Sequence, residues 1–223
     1  MKLIVYNGSG RGKSGNTALL LDSFLKGFTS VEGNTFEMHI LMHTSKMDTF
    51  TAAFGEAENV LLAFPMYTDM VPGVVKKFIE TLAPYCGRQG NPSMAYMIHC
   101  GFPEGIQLRA LEAYLEKLSR RLGSRHVGTI LKGNSEGVRY TPPEKLPQHL
   151  IRFEVLGKAY GQTGKLDKDN LSTLIQPERL PGWVATIFRL LSFTNFGNSG
   201  WNEELKKNGA YLNRFARPDV EDK

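Results

Sequence analysis

Lys2–Phe28, KLIVYNGSGRGKSGNTALLLDSFLKGF, decides how this chain is read. Leu3, Ile4, Val5 and Tyr6 form a short unbroken apolar run, which predicts a buried strand. A loop of glycine, serine and basic residues follows from Asn7 to Gly15. Leu21, Phe24, Leu25 and Phe28 then recur at i, i+3, i+4 and i+7, so they share one face of a helix. A strand that passes into a helix through such a loop leaves free backbone N–H groups at the helix start. The helix dipole adds partial positive charge there, so the turn suits a phosphate.

Working outward, the same alternation repeats. Residues 35–41 alternate Phe36, Met38 and Ile40 on one face, as a strand does, and 47–57 predicts a short helix. Residues 59–64, NVLLAF, are continuously apolar, the signature of a strand buried on both faces of a parallel sheet. A helix starting near Gly73 carries Val75, Phe78, Ile79 and Leu82 on one face. Residues 93–100 predict a fourth strand, and 104–122 a helix striped by Leu108, Leu111, Leu115, Leu118 and Leu122. Residues 126–131 predict a fifth strand. Five strands alternating with helices argue for right-handed crossovers and a mostly parallel, doubly wound α/β sheet.

The later residues are less regular. Residues 140–147 read as a loop, 146–160 as a helix, and 161–170 as a turn-rich connector. Val184, Ile187, Phe188 and Leu191 mark a further amphipathic helix, and 201–218 mix aromatic with basic residues. The expected organisation is a sheet domain over 1–135 and a helical C-terminal extension over 136–223, packed on that domain or on a partner subunit.

Composition narrows the function classes. With 223 residues, 41% hydrophobic and 22% charged, the chain is an ordinary globular protein of one domain or two small ones. The net charge of +5 and pI near 9.1 favour an anionic ligand or acidic partners. No block of lysine and arginine marks a nucleic-acid site. Cys86 and Cys100 are the two cysteines, and with no CxxC neither a zinc site nor an iron–sulfur cluster is supported. Two thiols suit a reducing cytosol. The N-terminal apolar run is too short for a signal peptide, and 183–196 contains Arg189 and is too short to span a bilayer. The expected location is the cytoplasm, with no membrane span.

The phosphate loop admits three owners. Gly10, Gly12 and Gly15 match GxGxxG, the dinucleotide fingerprint. That motif also requires an acidic residue at the end of the next strand, where this chain has Leu41-Met42-His43-Thr44. Gly12-Lys13-Ser14 matches the end of a triphosphate P-loop. There the first glycine would fall on Asn7, and the strand expected to offer a magnesium-orienting Asp ends in Pro65. The third owner is a flavin monophosphate. Gly8-Ser9-Gly10-Arg11-Gly12-Lys13-Ser14-Gly15-Asn16-Thr17 resembles the GSPRxxSNT-type loop of the NAD(P)H-dependent FMN reductase and multimeric-flavodoxin group, with Gly10 in place of proline. The resemblance implies phosphate contacts from Ser9, Arg11, Asn16 and Thr17, with Lys13 and Ser14 within reach. A monophosphate dianion needs donors and a cation but no Mg²⁺, and Arg11 offers a planar fork where Lys13 offers a point charge.

Two further segments carry the same resemblance. Pro65-Met66-Tyr67-Thr68-Asp69-Met70-Val71-Pro72, followed by GVVKKFIE, resembles the family's PxYxxxxPxxxKxFIE stretch at Pro65, Tyr67, Pro72, Lys76, Phe78, Ile79 and Glu80. In the family this loop lies along the isoalloxazine ring, which assigns ring contacts to Pro65, Met66, Tyr67 and Thr68. Gly101-Phe102, before Pro103-Glu104, resembles the family segment bordering the other side of the ring. Glu104 reads as a helix-capping carboxylate, His99 as a strand residue and Cys100 as a small buried hydrophobe.

The resemblance covers about the first 135 residues and implies a flavodoxin-like five-stranded sheet of order 2-1-3-4-5. It also implies bound FMN, NAD(P)H as electron donor, and hydride transfer to a small-molecule acceptor such as a quinone or a flavin. The long C-terminal part suggests a subunit interface or a lid, so a homodimer or homotetramer is expected, and no side chain is assigned as catalytic. A flavodoxin-like electron carrier and a P-loop kinase are the alternatives. Single-electron flavodoxins are usually acidic, whereas this chain is basic.

Overall fold

The computed structural model describes residues 1–138, 141–142, 144–166, 171–172, 174–175, 177–194 and 197–216. Tyr140, residues 167–170, Phe196 and Pro218, and the side chain of Phe188, which the sequence reading included, lie outside the described residues.

Five strands form one sheet: β1 (Lys2–Asn7), β2 (Thr35–Ile40), β3 (Asn59–Pro65), β4 (Ser93–His99) and β5 (His126–Lys132). Their order is β2-β1-β3-β4-β5, and every neighbouring pair is parallel. The expected order is the observed one. The connecting helices are α1 (Asn16–Thr29), α2 (Met47–Glu56), α3 (Gly73–Thr81) and α4 (Ile106–Leu122), with α5 (Leu146–Thr163) after β5.

Because strand side chains alternate, consecutive apolar residues feed two different cores. Leu3, Val5, Leu61, Ala63, Ala95, Met97 and Ile130 face α1 and α5, meeting Leu20, Phe24, Phe28, Phe153 and Tyr160. Ile4, Tyr6, Leu62, Phe64, Tyr96 and Ile98 face α2, α3 and α4, meeting Phe50, Phe54, Val75, Phe78 and Leu111. This double burial is why the strands read as unbroken apolar runs. β2 lies at the sheet edge, and there Phe36 stays exposed.

The tightest helix pair is α1 with α5. A Cβ on Gly27 would fall 1.8 Å from the Glu154 carbonyl oxygen, and one on Gly157 would fall 1.8 Å from that of Phe24. The two backbones therefore touch, and only glycine fits at either crossing point. This contact fixes α1, whose N-terminus the phosphate loop feeds.

The helix after β4 starts later than the sequence suggests. α4 opens at Ile106 with Gly105 as its cap residue, so Glu104 lies outside it and its first turn holds no acidic residue. The Gly105 and Ile106 amides instead donate to the Pro177 and Glu178 carbonyls, both at 3.0 Å. Arg109 grips the Glu178 carboxylate through two nitrogens, at 3.0 and 2.9 Å, which holds that strap in place.

Residues Met1–Arg179 make one compact unit and the chain from Leu180 makes a second. In the second, α6 (Gly182–Leu191) and α7 (Ser199–Lys207) leave Trp183, Ile187, Leu190 and Trp201 exposed. Among the described residues, no helix is long and apolar enough to cross a membrane.

Candidate functional site

The carboxyl ends of β1, β3, β4 and β5 converge on one small cleft of about 40 Å³. Ser9, Arg11, Gly15 and Asn16 line it from the first loop. Pro65, Met66 and Tyr67 come from the end of β3, His99, Cys100 and Gly101 from β4, and Ser135 and Glu136 from β5. Open parallel sheets bind ligands at this edge, where the strand order reverses, and here β1 and β3 flank that point.

The first loop folds on its own polar side chains. Asn7 Oδ1 accepts the Ser9 amide at 3.0 Å, and Asn7 Nδ2 donates to the Gly12 carbonyl at 3.2 Å. Asn7 is therefore a loop organiser. The chain next makes a short 3₁₀ turn, Gly12–Ser14, and enters α1 through Gly15. The cradle has no spare room. A Cβ on Gly8 would sit 2.2 Å from Val75 Cγ2, and one on Gly15 would sit 2.8 Å from Ser9 Oγ. The donor set is consistent with a phosphate. Ser9 is buried, and its Oγ accepts the Arg11 amide at 3.2 Å, which leaves its own proton for a ligand oxygen. The Arg11 guanidinium makes no ion pair among the described residues. The Ala18 amide donates to the Gly15 carbonyl at 3.0 Å, which closes the first turn of α1, and the positive end of the helix dipole lies at this loop.

The sequence-assigned residues do not all reach the cleft. Ser9, Arg11, Asn16, Pro65, Met66, Tyr67 and Gly101 line it. Lys13 and Ser14 sit on the exposed face of the 3₁₀ turn, where Ser14 Oγ donates to the Arg11 carbonyl at 3.0 Å. Thr17 is fully buried behind the cleft, with Oγ1 2.8 Å from His99 Nε2. Thr68 and Phe102 stand exposed on the neighbouring loops. No β3 residue brings a carboxylate into the cleft, as a magnesium-dependent triphosphate site would require.

The loop after β3 is a tight hairpin. Tyr67 and Met70 exchange both backbone hydrogen bonds at 3.1 Å. The two residues between them, Thr68 and Asp69, have φ of +48° and +63°. That double left-handed turn favours Asn-Gly, and a β-branched threonine in it is strained. The turn leaves Tyr67 and Met70 each 50% exposed, and Phe102 is 51% exposed on the loop after β4. Together they offer a partly apolar surface for a flat ligand.

A buried polar chain lies behind the cleft. His99 Nδ1 is 2.8 Å from Ser135 Oγ, and Ser135 Oγ donates to the Cys100 carbonyl at 2.9 Å. Asn16 Nδ2 donates to the Ser135 carbonyl at 2.8 Å. Burial drives the His99 pKa down to about 4, with the nearby Lys132 charge adding to the effect, so the ring is neutral near pH 7. Burial also raises the Cys100 thiol pKa, so it stays protonated. Neither His99 as a charged acid nor Cys100 as a thiolate is therefore present near neutral pH.

Sequence reasoning missed Ser135, Glu136 and the reach of His99. The signal was present, because the rule that ligands gather at strand carboxyl ends applies to Gly133-Asn134-Ser135 after the fifth strand as it does to the others. Asn134 at φ +51° and its amide bond to the Phe102 carbonyl, 2.7 Å, fold that end back onto the site.

No protein-family model matches the chain, and no curated protein matches it. Solved structures do resemble it. An azoreductase from Bacillus anthracis Sterne superposes with a TM-score of 0.55 at 15% identity, covering 72% of this chain and 98% of its own. An FMN-dependent NADH-azoreductase from B. anthracis Ames Ancestor, solved in complex with FMN, gives 0.53 at 12% identity, covering 72% and 99%. An NADPH-quinone reductase from P. pentosaceus gives 0.53 at 11% identity, covering 73% and 98%. With the parallel order 2-1-3-4-5 and helices on both faces, these likenesses establish that the chain has the flavodoxin-like fold.

Proposed function

We propose that this chain is an FMN-dependent oxidoreductase that takes electrons from NADH or NADPH and reduces a small acceptor such as a quinone or a flavin. The observation that carries the reading is the cleft itself. A buried hydroxyl, a guanidinium and a helix N-terminus meet there, beside a strained hairpin that presents an aromatic ring and a thioether. The structural neighbours support it: one was solved with FMN, and one is an NADPH-quinone reductase. Three segments of the sequence resemble the FMN reductase group in the right order.

FMN, when bound, supplies the hydride chemistry. The residues of the chain supply position and charge. Ser9 donates to the phosphate and Arg11 neutralises it. At about 4 Å and an effective dielectric near 20, one cation contributes of order 4 kcal/mol before desolvation. Asn16 joins this set from the first turn of α1. Lys13 and Ser14 act from the exposed turn, Lys13 as a diffuse charge, and Thr17 acts from behind. Pro65 and Pro72 fix the ends of the ring loop, Met66 and Gly101 bring backbone close, and Tyr67, Thr68 and Phe102 shield the ring's edges from water. His99 and Cys100 hold their protons and take no part in transfer. On this reading the FMN-binding domain is residues 1–135 and the remainder is an extension. The active form is a homodimer or homotetramer, which sedimentation would read.

Titration of the purified protein with FMN and riboflavin tests the reading. The expected result is quenched FMN fluorescence, tighter binding of FMN than riboflavin, and NAD(P)H oxidation that depends on FMN and an added quinone. A protein indifferent to FMN would overturn it. FMN binding with no response to either nicotinamide would leave an electron carrier.

A further inference from the structure

We propose that neutral His99, protonated at Nδ1, is the positioning residue of the anion cleft, and that it sets the preference for FMN over riboflavin by tying the phosphate loop to the loop after β5. The proposal rests on the reading that this cleft holds the FMN phosphate.

The hydrogen-bond chain has one consistent direction. Ser135 Oγ donates to the Cys100 carbonyl at 2.9 Å, so toward His99 it can only accept. Nδ1, 2.8 Å away, must then carry the proton. That leaves Nε2 as an acceptor, and Thr17 Oγ1 at 2.8 Å donates to it. The chain runs Thr17 to His99 to Ser135 to Cys100, each proton assigned once.

This chain touches every loop that builds the cleft. Thr17 is the second residue of α1, next to Asn16, which itself donates to the Ser135 carbonyl at 2.8 Å. The Ser135 amide donates to the Cys100 carbonyl at 2.9 Å, and the Met66 amide donates to the His99 carbonyl at 2.7 Å. His99 is buried at the back of the cleft, only 4% exposed, and both ring nitrogens have protein partners. The groups around it are Lys132 on β5, Cys100 next in the chain, and Arg11, Tyr67 and Glu136 lining the same cleft; α1 contributes the uncharged Thr17. Charging the ring would oblige Nε2 to donate, reversing the Thr17 bond. The structure thus ties placement of the α1 N-terminus to one tautomer of one side chain.

The test uses the full chain with His99→Leu, which fills the space without bonds, and His99→Gln, which keeps an amide within reach of Thr17. The probes are FMN, riboflavin and inorganic phosphate. The expected result is that His99→Leu weakens FMN about tenfold or more. Riboflavin binding should change far less, and the rise in melting temperature given by inorganic phosphate should disappear. His99→Gln should recover part of the FMN preference. Equal losses for FMN and riboflavin in either variant, or an unchanged FMN preference in His99→Leu, would overturn the proposal. A wild-type chain that phosphate stabilises but FMN does not touch would sink the flavin reading alone, with His99 then judged on phosphate. A wild-type chain indifferent to both would overturn the two together. In nitrogen-15 spectra at neutral pH, a His99 signal protonated at Nδ1 supports the assignment, and one protonated at Nε2 overturns it.

Discussion

The back wall and the rim of the cleft are built on opposite principles. At the back, Ser9, Thr17, His99 and Ser135 are all buried, and each is hydrogen-bonded to another loop residue or to another strand end. On the rim, Tyr67, Met70 and Phe102 are half exposed, and the turn that carries two of them uses φ values its residues disfavour. A phosphate has one shape and one charge, so donors fixed in advance serve it best. A planar ring that must admit a second planar molecule needs an open face instead. The difference locates rigidity where a ligand would be gripped and strain where it would be approached.

The strongest way to break that contrast is acid. His99 is neutral in the fold, with a pKa near 4 against about 6.5 in the unfolded chain. Between those values the unfolded state binds the extra proton, so stability rises with pH. The contribution is fully present above pH 6.5 and is lost as pH falls from 6.5 toward 4, in the limit roughly 3 kcal/mol. Melting temperatures of wild type and His99→Gln, measured across pH 4–7, should therefore converge as pH falls. Parallel curves would show that His99 is not the titrating group.

Glycine substitutions give the next largest effect. Gly8→Ala drives a methyl into Val75 at 2.2 Å, and overpacking of this kind costs about 2–3 kcal/mol. Gly73, at the end of the rim loop, has nothing within 4 Å of an added Cβ. Gly73→Ala should shift denaturant stability by less than about 0.5 kcal/mol. Similar losses at the two positions would erase the contrast.

How far the sequence anticipates this arrangement follows the same division. The sheet is legible because parallel strands buried on two faces must be apolar throughout, as Leu3–Tyr6 and Val60–Phe64 are. The helix stripes are legible for the matching reason. The α1–α5 contact is not, since Gly27 and Gly157 look like helix weaknesses until two backbones are seen to meet there. Within the site, Ser9, Arg11 and Asn16 are legible because they stand in one contiguous loop. The Thr17–His99–Ser135 chain bridges separations of 82 and 36 positions, and no spacing along the sequence announces such contacts. Glu104 shows the reverse error. A carboxylate near a predicted helix start reads as a cap, but the Pro177 and Glu178 carbonyls already bond those amides.

Arg11→Ala separates charge from geometry at the back wall. Its guanidinium is exposed, and its backbone amide already holds Ser9, so the loop should keep its shape when the side chain is removed. A charge-assisted contact to phosphate is worth about 1.5–2 kcal/mol, so FMN should weaken by roughly tenfold to thirtyfold. Riboflavin binding, which lacks the phosphate, should stay within about twofold, and raised salt should narrow the gap by screening. Equal losses for the two flavins would remove Arg11 from the phosphate site.

The smallest effect bears on the rim. Replacing Thr68-Asp69 with Asn-Gly supplies the residues that two consecutive left-handed conformations prefer. Relief of that strain should stabilise the protein by about 1 kcal/mol in denaturant titration, with no change in the sheet. Flavin binding should change in the other direction. The Tyr67–Met70 bridge carries the exposed ring and thioether, and an added glycine gives the turn more states to lose when a ligand orders it. If stability rises while FMN affinity holds, the strain is incidental to the site. If stability rises and FMN affinity falls together, the turn's poor local fit is retained for binding, and the rim is as specific a device as the back wall behind it.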